Sequence, residues 1–378
     1  MILIFINKSP ERYNKSVLFL PAFFSENAGY NWRVAKWVEC FAKEGYKVSA
    51  NEATNNKEFY DLTKNNHSLF LCKYLHRRFW QTVKSRKFET VIVRRELLIF
   101  NDYGNLFLEE LLLKIHPNAV LDFDDDLSAA KQQPYKVENW KAKIMMENGD
   151  KFNETLKSYK YFIVASEFLK KRVLGENKQI APGNVIVIPT CVDYDKYPSK
   201  EYPSTNKVFT FGWIGGDHNY TLLDHLLPYF NKLSTEYKFR LLVIGRTLYK
   251  REVDFTIDFI PWSLESEVGS IKEMDVGLMP LQKGAIANGK AGFKLIQYMG
   301  LGVPGIASAI TVNREIIHHG VDSFLIEDDG EWIQLFKSIL ENQYDLAKIG
   351  ESARLKILND YSFKSFSGEY VNFIKEIA

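Results

Sequence analysis

The chain has 378 residues, 46% hydrophobic and 25% charged, with a formal net charge of +2. That length is too great for one ordinary core and suits two domains. The composition is that of a folded globular protein and excludes a disordered or fibrous chain. The near-neutral balance removes any bulk electrostatic case for nucleic acid, and no apolar run approaches the roughly 20 residues of a membrane helix. The three cysteines, Cys40, Cys72 and Cys191, are odd in number and far apart. They form neither a metal spacing nor a disulfide framework, which favours a reducing, cytoplasmic setting.

In chain order, apolar runs fall at 16–24, 46–50, 90–93, 120–123, 161–165 and 185–189. The first is short and broken by Pro21, so it reads as a strand and not as a signal peptide. Amphipathic stretches such as 32–45 separate these runs. Strands alternating with helices predict a parallel sheet covered on both faces. The stretch 193–206 carries Tyr194, Tyr197 and Tyr202, two prolines and small polar residues, and reads as an inter-domain linker. A second α/β series follows at 208–214, 240–244, 258–260, 276–280, 305–308 and 323–326. No short-period repeat or low-complexity tract interrupts it.

The densest signal is Gly289-Lys290-Ala291-Gly292-Phe293-Lys294-Leu295-Ile296-Gln297-Tyr298-Met299, between the strand patterns at 276–281 and 304–308. A glycine-rich loop opening into a helix offers backbone N–H groups to an anion, and two lysines beside it suit a diphosphate. This string resembles the donor-site signature of glycosyltransferase family 4 (group 1), the retaining nucleotide-sugar transferases of the GT-B fold. More narrowly, it resembles the branch with a Gly-Lys-x-Gly-Phe-Lys-x-x-Gln-Tyr-Met motif. The resemblance is strong after Val208 and weaker before it.

The resemblance implies two Rossmann-like α/β domains with parallel sheets facing a cleft. Residues 1–192 would form the acceptor-side domain and 207–360 the nucleotide-sugar domain, with 361–378 returning to the first. It also implies donor contacts at Gly215 and Gly216, in the turn after the strand ending Trp213-Ile214, and at Lys290, Gly292, Phe293 and Lys294. Gln297 stands where many members carry the glutamate that holds the ribose, and Gly289 stands where they carry an upstream glutamate. The usual basic residue after the first strand of this domain is missing from Gly215-Gly216-Asp217-His218-Asn219-Tyr220, and Arg246 is the candidate to supply the charge. Trp262 could stack on the base. Glu315 is a candidate for capping or orienting the helix that it opens.

In the first half, Asp122-Phe123-Asp124-Asp125-Asp126 ends a strand. Three readings compete: hard oxygen ligands for a metal, a catalytic or acceptor contact, and a helix N-cap. The second donor-type domain argues against a metal-dependent Asp-x-Asp enzyme, so Asp124 and Asp125 are taken as the catalytic candidates, with no metal. Adjacent carboxylates repel, so one would have a raised pKa and could accept a proton. Gly29 and Arg33, in a turn before a helix, are acceptor-side candidates, and Arg94-Arg95-Glu96, at another strand edge, reads either as a cleft contact or as an internal Arg–Glu pair. The basic, aromatic segment 73–88 is either a packed helix with a solvated face or a peripheral contact for the inner face of a membrane.

The function expected is transfer of a sugar, with retention, from a nucleotide-diphosphate sugar to a hydroxyl of a glycan or glycolipid. It would serve polysaccharide or lipopolysaccharide synthesis and need no cofactor. The rival readings are another GT-B enzyme, such as a nucleotide-sugar epimerase, and a non-catalytic nucleotide- or sugar-binding protein.

Overall fold

The computed structural model describes residues 13–64, 68–99, 106–128, 151–195, 197–202 and 208–378. Among these, two six-stranded sheets are formed, and every apolar run named above supplies one strand. The chain divides into two compact units. One is the chain up to Thr190 together with Phe366–Ala378, and the other is Cys191–Ser365.

In the first unit the strands are β1 (Ser16–Pro21), β2 (Lys47–Ala50), β3 (Thr90–Arg94), β4 (Val120–Phe123), β5 (Tyr161–Val164) and β6 (Val185–Val187). They lie in the order β2-β1-β3-β4-β5-β6, all parallel. Every residue of β1, β3 and β4 is buried, as expected when helices cover both faces of a parallel sheet. Among the helices are α1 (Lys36–Lys43), α2 (Ser68–Lys84) and α3 (Glu167–Glu176). A short helical turn, Ala28–Tyr30, and a π-helical segment, Asn31–Ala35, lead into α1. Gly29 and Arg33 therefore sit within the helical run and not in the turn before it. Asn27 Oδ1 starts that run by accepting from Gly29 N at 2.9 Å.

The second unit has β7 (Phe209–Ile214), β8 (Phe239–Gly245), β9 (Thr256–Pro261), β10 (Val276–Met279), β11 (Gly305–Ser308) and β12 (Phe324–Ile326). Their order is β12-β11-β10-β7-β8-β9, again all parallel. The helices used below are α4 (Glu267–Lys272), α5 (Phe293–Gly300), α6 (Thr311–Ile316), α7 (Leu346–Asp360) and α8 (Phe363–Ile377). One face of the sheet is packed with aromatic rings. Phe230 and Phe336 stack at 4.8 Å, and Phe211 meets both rings. Such pairs are worth about 0.5–1.5 kcal/mol each beyond their buried area.

The described part of 193–206 packs on the second unit, while residues 196 and 203–206 lie outside the described residues. Tyr194 is fully buried, Arg354 donates to the Tyr194 and Tyr197 carbonyls, and the Lys200 ammonium pairs with Asp275 at 3.2 Å. Of the three tyrosines in this stretch, Tyr194 is a core packing group and Tyr197 is exposed. Within α8, Tyr370 clusters with the first unit, with its ring 4.6 Å from Trp37 and 5.1 Å from Phe41.

Candidate functional site

In the second unit the strand order explains what comes together. β7 lies beside β10, so the turn after β7 and the helix reached from β10 meet at the carboxyl edge of the sheet. Open α/β sheets bind ligands at that edge. Tyr298 locks the helix in place. Its hydroxyl accepts from Ile214 N at 3.0 Å and donates to the Leu278 carbonyl at 3.3 Å.

The loop itself is shaped by Gly292, the residue before α5, whose φ is +70°. A Cβ there would also collide with Ile316 Cδ1 of α6. Only glycine meets both conditions at low cost. No side chain caps α5. The positive end of its dipole therefore carries no side-chain cap, a setting that favours an anion.

Lys294 lies in the first turn of this helix, and its ammonium is 3.8 Å from the Trp213 ring centroid. Gly215 is next to it. A Cβ on Gly215 would lie 2.5 Å from Lys294 Nζ and 2.5 Å from the Trp213 ring, so the turn must be glycine for the lysine to approach. Burial pushes the Lys294 pKa well below its ordinary value, and the nearby Lys290 charge acts in the same direction. Among the described residues, no carboxylate forms an ion pair with Lys294. A cation held without a counter-ion beside a helix N-terminus is suited to receive an anionic ligand.

Arg246 and Trp262 follow β8 and β9. The Arg246 guanidinium is 5.3 Å from the Trp262 ring centroid, and Trp262 N donates to the Gly245 carbonyl at 2.8 Å. The indole Nε1 donates to Glu267 Oε2 at 2.7 Å, and Glu267 is buried at the start of α4. The half-buried Trp262 ring thus has a fixed orientation. Gln297, in α5, is buried as well, near Tyr194. Glu315 is exposed in the last turn of α6 and caps nothing at its start. The fully buried Asn313 donates to the Ser308 carbonyl at 2.8 Å and leaves its Oδ1 without a hydrogen bond among the described residues.

In the first unit three of the four aspartates at the end of β4, Asp122, Asp124 and Asp126, pair with three different arginines. Asp122 accepts from the buried Arg33 at 2.9 Å, and Arg33 also donates to the Ile188 carbonyl. Asp124 pairs with Arg94 at 2.6 Å, and Asp126 with Arg172 at 3.3 Å. Asp126 supplies the expected cap, accepting from Ser128 N and Ser128 Oγ.

Burial would raise Asp124, but Arg94 and then Arg33 hold its carboxyl well below the usual carboxylate range. Burial does raise Asp122, against the pull of Arg33 and Arg94. Of the two, Asp122 thus carries the raised pKa and Asp124 the lowered one. Asp125 is half-buried beside them. Arg95 forms the foreseen pair with Glu96 at 3.7 Å, whereas Arg94 turns to Asp124. Arg95 also has φ +74°, a left-handed conformation costing a side-chain-bearing residue roughly 1–2 kcal/mol. Among the described residues, no group of three or more His, Cys, Asp or Glu side chains could hold a metal ion.

Sequence reasoning missed Trp213, Tyr298, Glu267 and Asn313. Tyr298 lies inside the motif that was read, and Trp213 lies two residues before Gly215. Their partners become apparent only when β7 is placed beside β10.

Residues 208–342 match the family model described as "Glycosyl transferases group 1", a segment that lies within the second unit. No curated protein matches the sequence. Among solved structures, a glycosyltransferase from Rickettsia africae is 16% identical, with a TM-score of 0.65, covering 97% of this chain and 99% of that one. A sucrose-phosphate synthase from Thermosynechococcus elongatus is 12% identical, with a TM-score of 0.68, covering 96% and 99%. Anabaena HepE, solved in complex with UDP-glucose, is 10% identical, with a TM-score of 0.66, covering 96% and 99%. At these identities the likeness establishes the fold, a two-domain α/β architecture of the GT-B type.

Proposed function

We propose that the chain is a glycosyltransferase whose second unit binds a nucleotide-diphosphate sugar. The observation that carries this reading is the uncapped N-terminus of α5 beside the Lys294 ammonium, which has Trp213 for a neighbour and no ion-pair partner among the described residues. The match of residues 208–342 to the group 1 family supports it.

In this reading Lys294, Lys290 and the backbone of Gly292 and Phe293 hold the diphosphate. Gly215 and Gly216 let it come close, Arg246 adds charge, and Trp262 lies against the base. A UDP-sugar is the first donor to try, because HepE was solved with UDP-glucose. When the bond from the anomeric carbon to the diphosphate breaks, negative charge grows on the leaving group, where these fixed donors stabilise it most. The acceptor would be a hydroxyl of a glycan or a lipid-linked glycan, as in polysaccharide or lipopolysaccharide assembly. We carry retention, metal independence, the Asp125 carboxylate as the catalytic group of the first unit and a peripheral membrane contact through 73–88 as parts of the same proposal.

Thermal stabilisation against UDP, GDP, dTDP, ADP and CMP, with magnesium or with EDTA, tests it. A ligand bound only by the folded state must raise the apparent Tm. Gly289, standing where the resembled family has an acid, favours one second reading, a protein that binds the nucleotide sugar without transferring it. Release of free nucleotide from the sugar donor, with or without acceptor, would exclude that reading.

A further inference from the structure

We propose that the outward face of α2 docks on an anionic lipid bilayer. This inference deepens the membrane contact suggested above, but it stands on the helix alone and not on the donor site. The 17 residues of α2 include no aspartate or glutamate. Its inward face is Tyr74, Arg78 and Thr82, continued by Ser85, all buried. Arg78 is turned inward, donating to Pro21 O at 2.6 Å, to Gln81 Oε1 at 3.0 Å and to Asn51 O at 3.4 Å. Arg77 is taken up by Glu58 in a two-pronged pair at 2.9 and 3.0 Å.

The opposite face points to solvent. At helical spacing it presents Lys73, His76, Trp80 and Lys84, with Lys87 in the turn that follows, all of them exposed. Trp80 is 41% exposed and Leu75, on the flank, 39%. His76 and Phe79 pack their rings on Trp80 at 6.2 and 5.6 Å, so the indole is held on the surface. An exposed tryptophan ringed by lysines, with no acid on the helix, matches the headgroup region of a bilayer. The ring would enter the interface while the ammonium groups meet anionic phosphates. Charge complementarity is what selects anionic lipid as the occupant. The partner is the surface of the bilayer, because no described helix is long and apolar enough to cross a membrane.

The test is co-sedimentation of the full chain with phosphatidylglycerol–phosphatidylcholine vesicles and with phosphatidylcholine alone. The proposal expects binding only to the anionic vesicles, weakened by salt. A Lys73→Glu/Lys84→Glu/Lys87→Glu variant should bind on the order of a hundredfold more weakly, and Leu75→Ala/Trp80→Ala about tenfold or more. Both variants alter exposed side chains and should keep the circular dichroism and Tm of the parent, which separates lost docking from lost folding. Absence of binding to the anionic vesicles, equal binding to neutral ones, or binding indifferent to the triple charge reversal would overturn the proposal. A lipid-independent dimer lost in Trp80→Ala would overturn it too, assigning the face to a second copy. None of these outcomes affects nucleotide binding, so failure here and failure of the transferase reading are distinguishable.

Discussion

The Lys294 ammonium sits 3.8 Å from the centroid of the Trp213 ring, in the space that a side chain on Gly215 would fill. Three residues from two separate sequence segments thus define one small cationic site at the carboxyl edge of the sheet. The ring's negative face partly compensates a charge that has lost water and gained no carboxylate.

Protonation of Lys294 should be linked to binding. Its folded-state pKa lies below that of the unfolded chain. Between the two values the unfolded state binds more protons, so the stability of the empty protein rises with pH through that window. A bound diphosphate favours the ammonium and raises the pKa again. Nucleotide affinity should therefore fall as pH rises through the lowered pKa, and binding below saturation of the ammonium should take up protons. Calorimetry in buffers of different ionisation enthalpy reads that uptake, and binding with no proton exchange at any pH would contradict it.

Gly292→Ala should destabilise by about 1–3 kcal/mol from its backbone conformation, before the clash with Ile316 is counted. Gly269→Ala in α4 is the matched control, because nothing lies within 4 Å of its would-be Cβ. That change should be neutral or stabilising by up to about 1 kcal/mol. Urea titration of both variants checks the contrast.

Glu267→Leu should release the Trp262 indole and cost about 1 kcal/mol for the lost, partly buried hydrogen bond. Glu267→Gln keeps an acceptor and should retain most of the orientation. If Trp262 lies against the base, Glu267→Leu weakens binding of the whole nucleotide and leaves pyrophosphate binding unchanged. Parallel titrations with nucleotide and pyrophosphate separate the two effects.

Asp122→Asn and Asp125→Asn should behave differently. The first breaks a buried pair with Arg33, and losses of that kind run to about 3–5 kcal/mol. The second should leave stability within about 0.5 kcal/mol while lowering turnover. Chemical denaturation and donor-turnover assays on the two variants check this. A stable Asp122→Asn protein would remove the structural role assigned to the Arg33 pair.

Much of the fold was legible because its strands are continuous apolar runs, the pattern that parallel sheets buried on both faces require. The site was legible where chemistry is local, as in Gly292 before a helix and Lys294 in its first turn. Partners brought together by strand order were not legible. Trp213 beneath Lys294 depends on β7 lying next to β10, and nothing local to either segment states this. The aspartate run was legible only in part for a related reason. Sequence neighbours suggested mutual repulsion, whereas alternation along and beyond β4 sends Asp122, Asp124 and Asp126 to three different arginines. Glu267 was hidden because an acid at a helix start looks like ordinary first-turn charge, and only its burial against the Trp262 indole marks it out.

The most direct test of the central claim is isothermal titration of nucleoside diphosphates into the parent protein and into Lys294→Met, in the presence of EDTA. The account predicts that one diphosphate binds the parent with one-to-one stoichiometry. It also predicts that the methionine variant, at least as stable when empty, loses roughly tenfold or more in affinity. Binding of no diphosphate, or equal affinity in the two proteins, would contradict the assignment of the α5 N-terminus and Lys294 as the donor site.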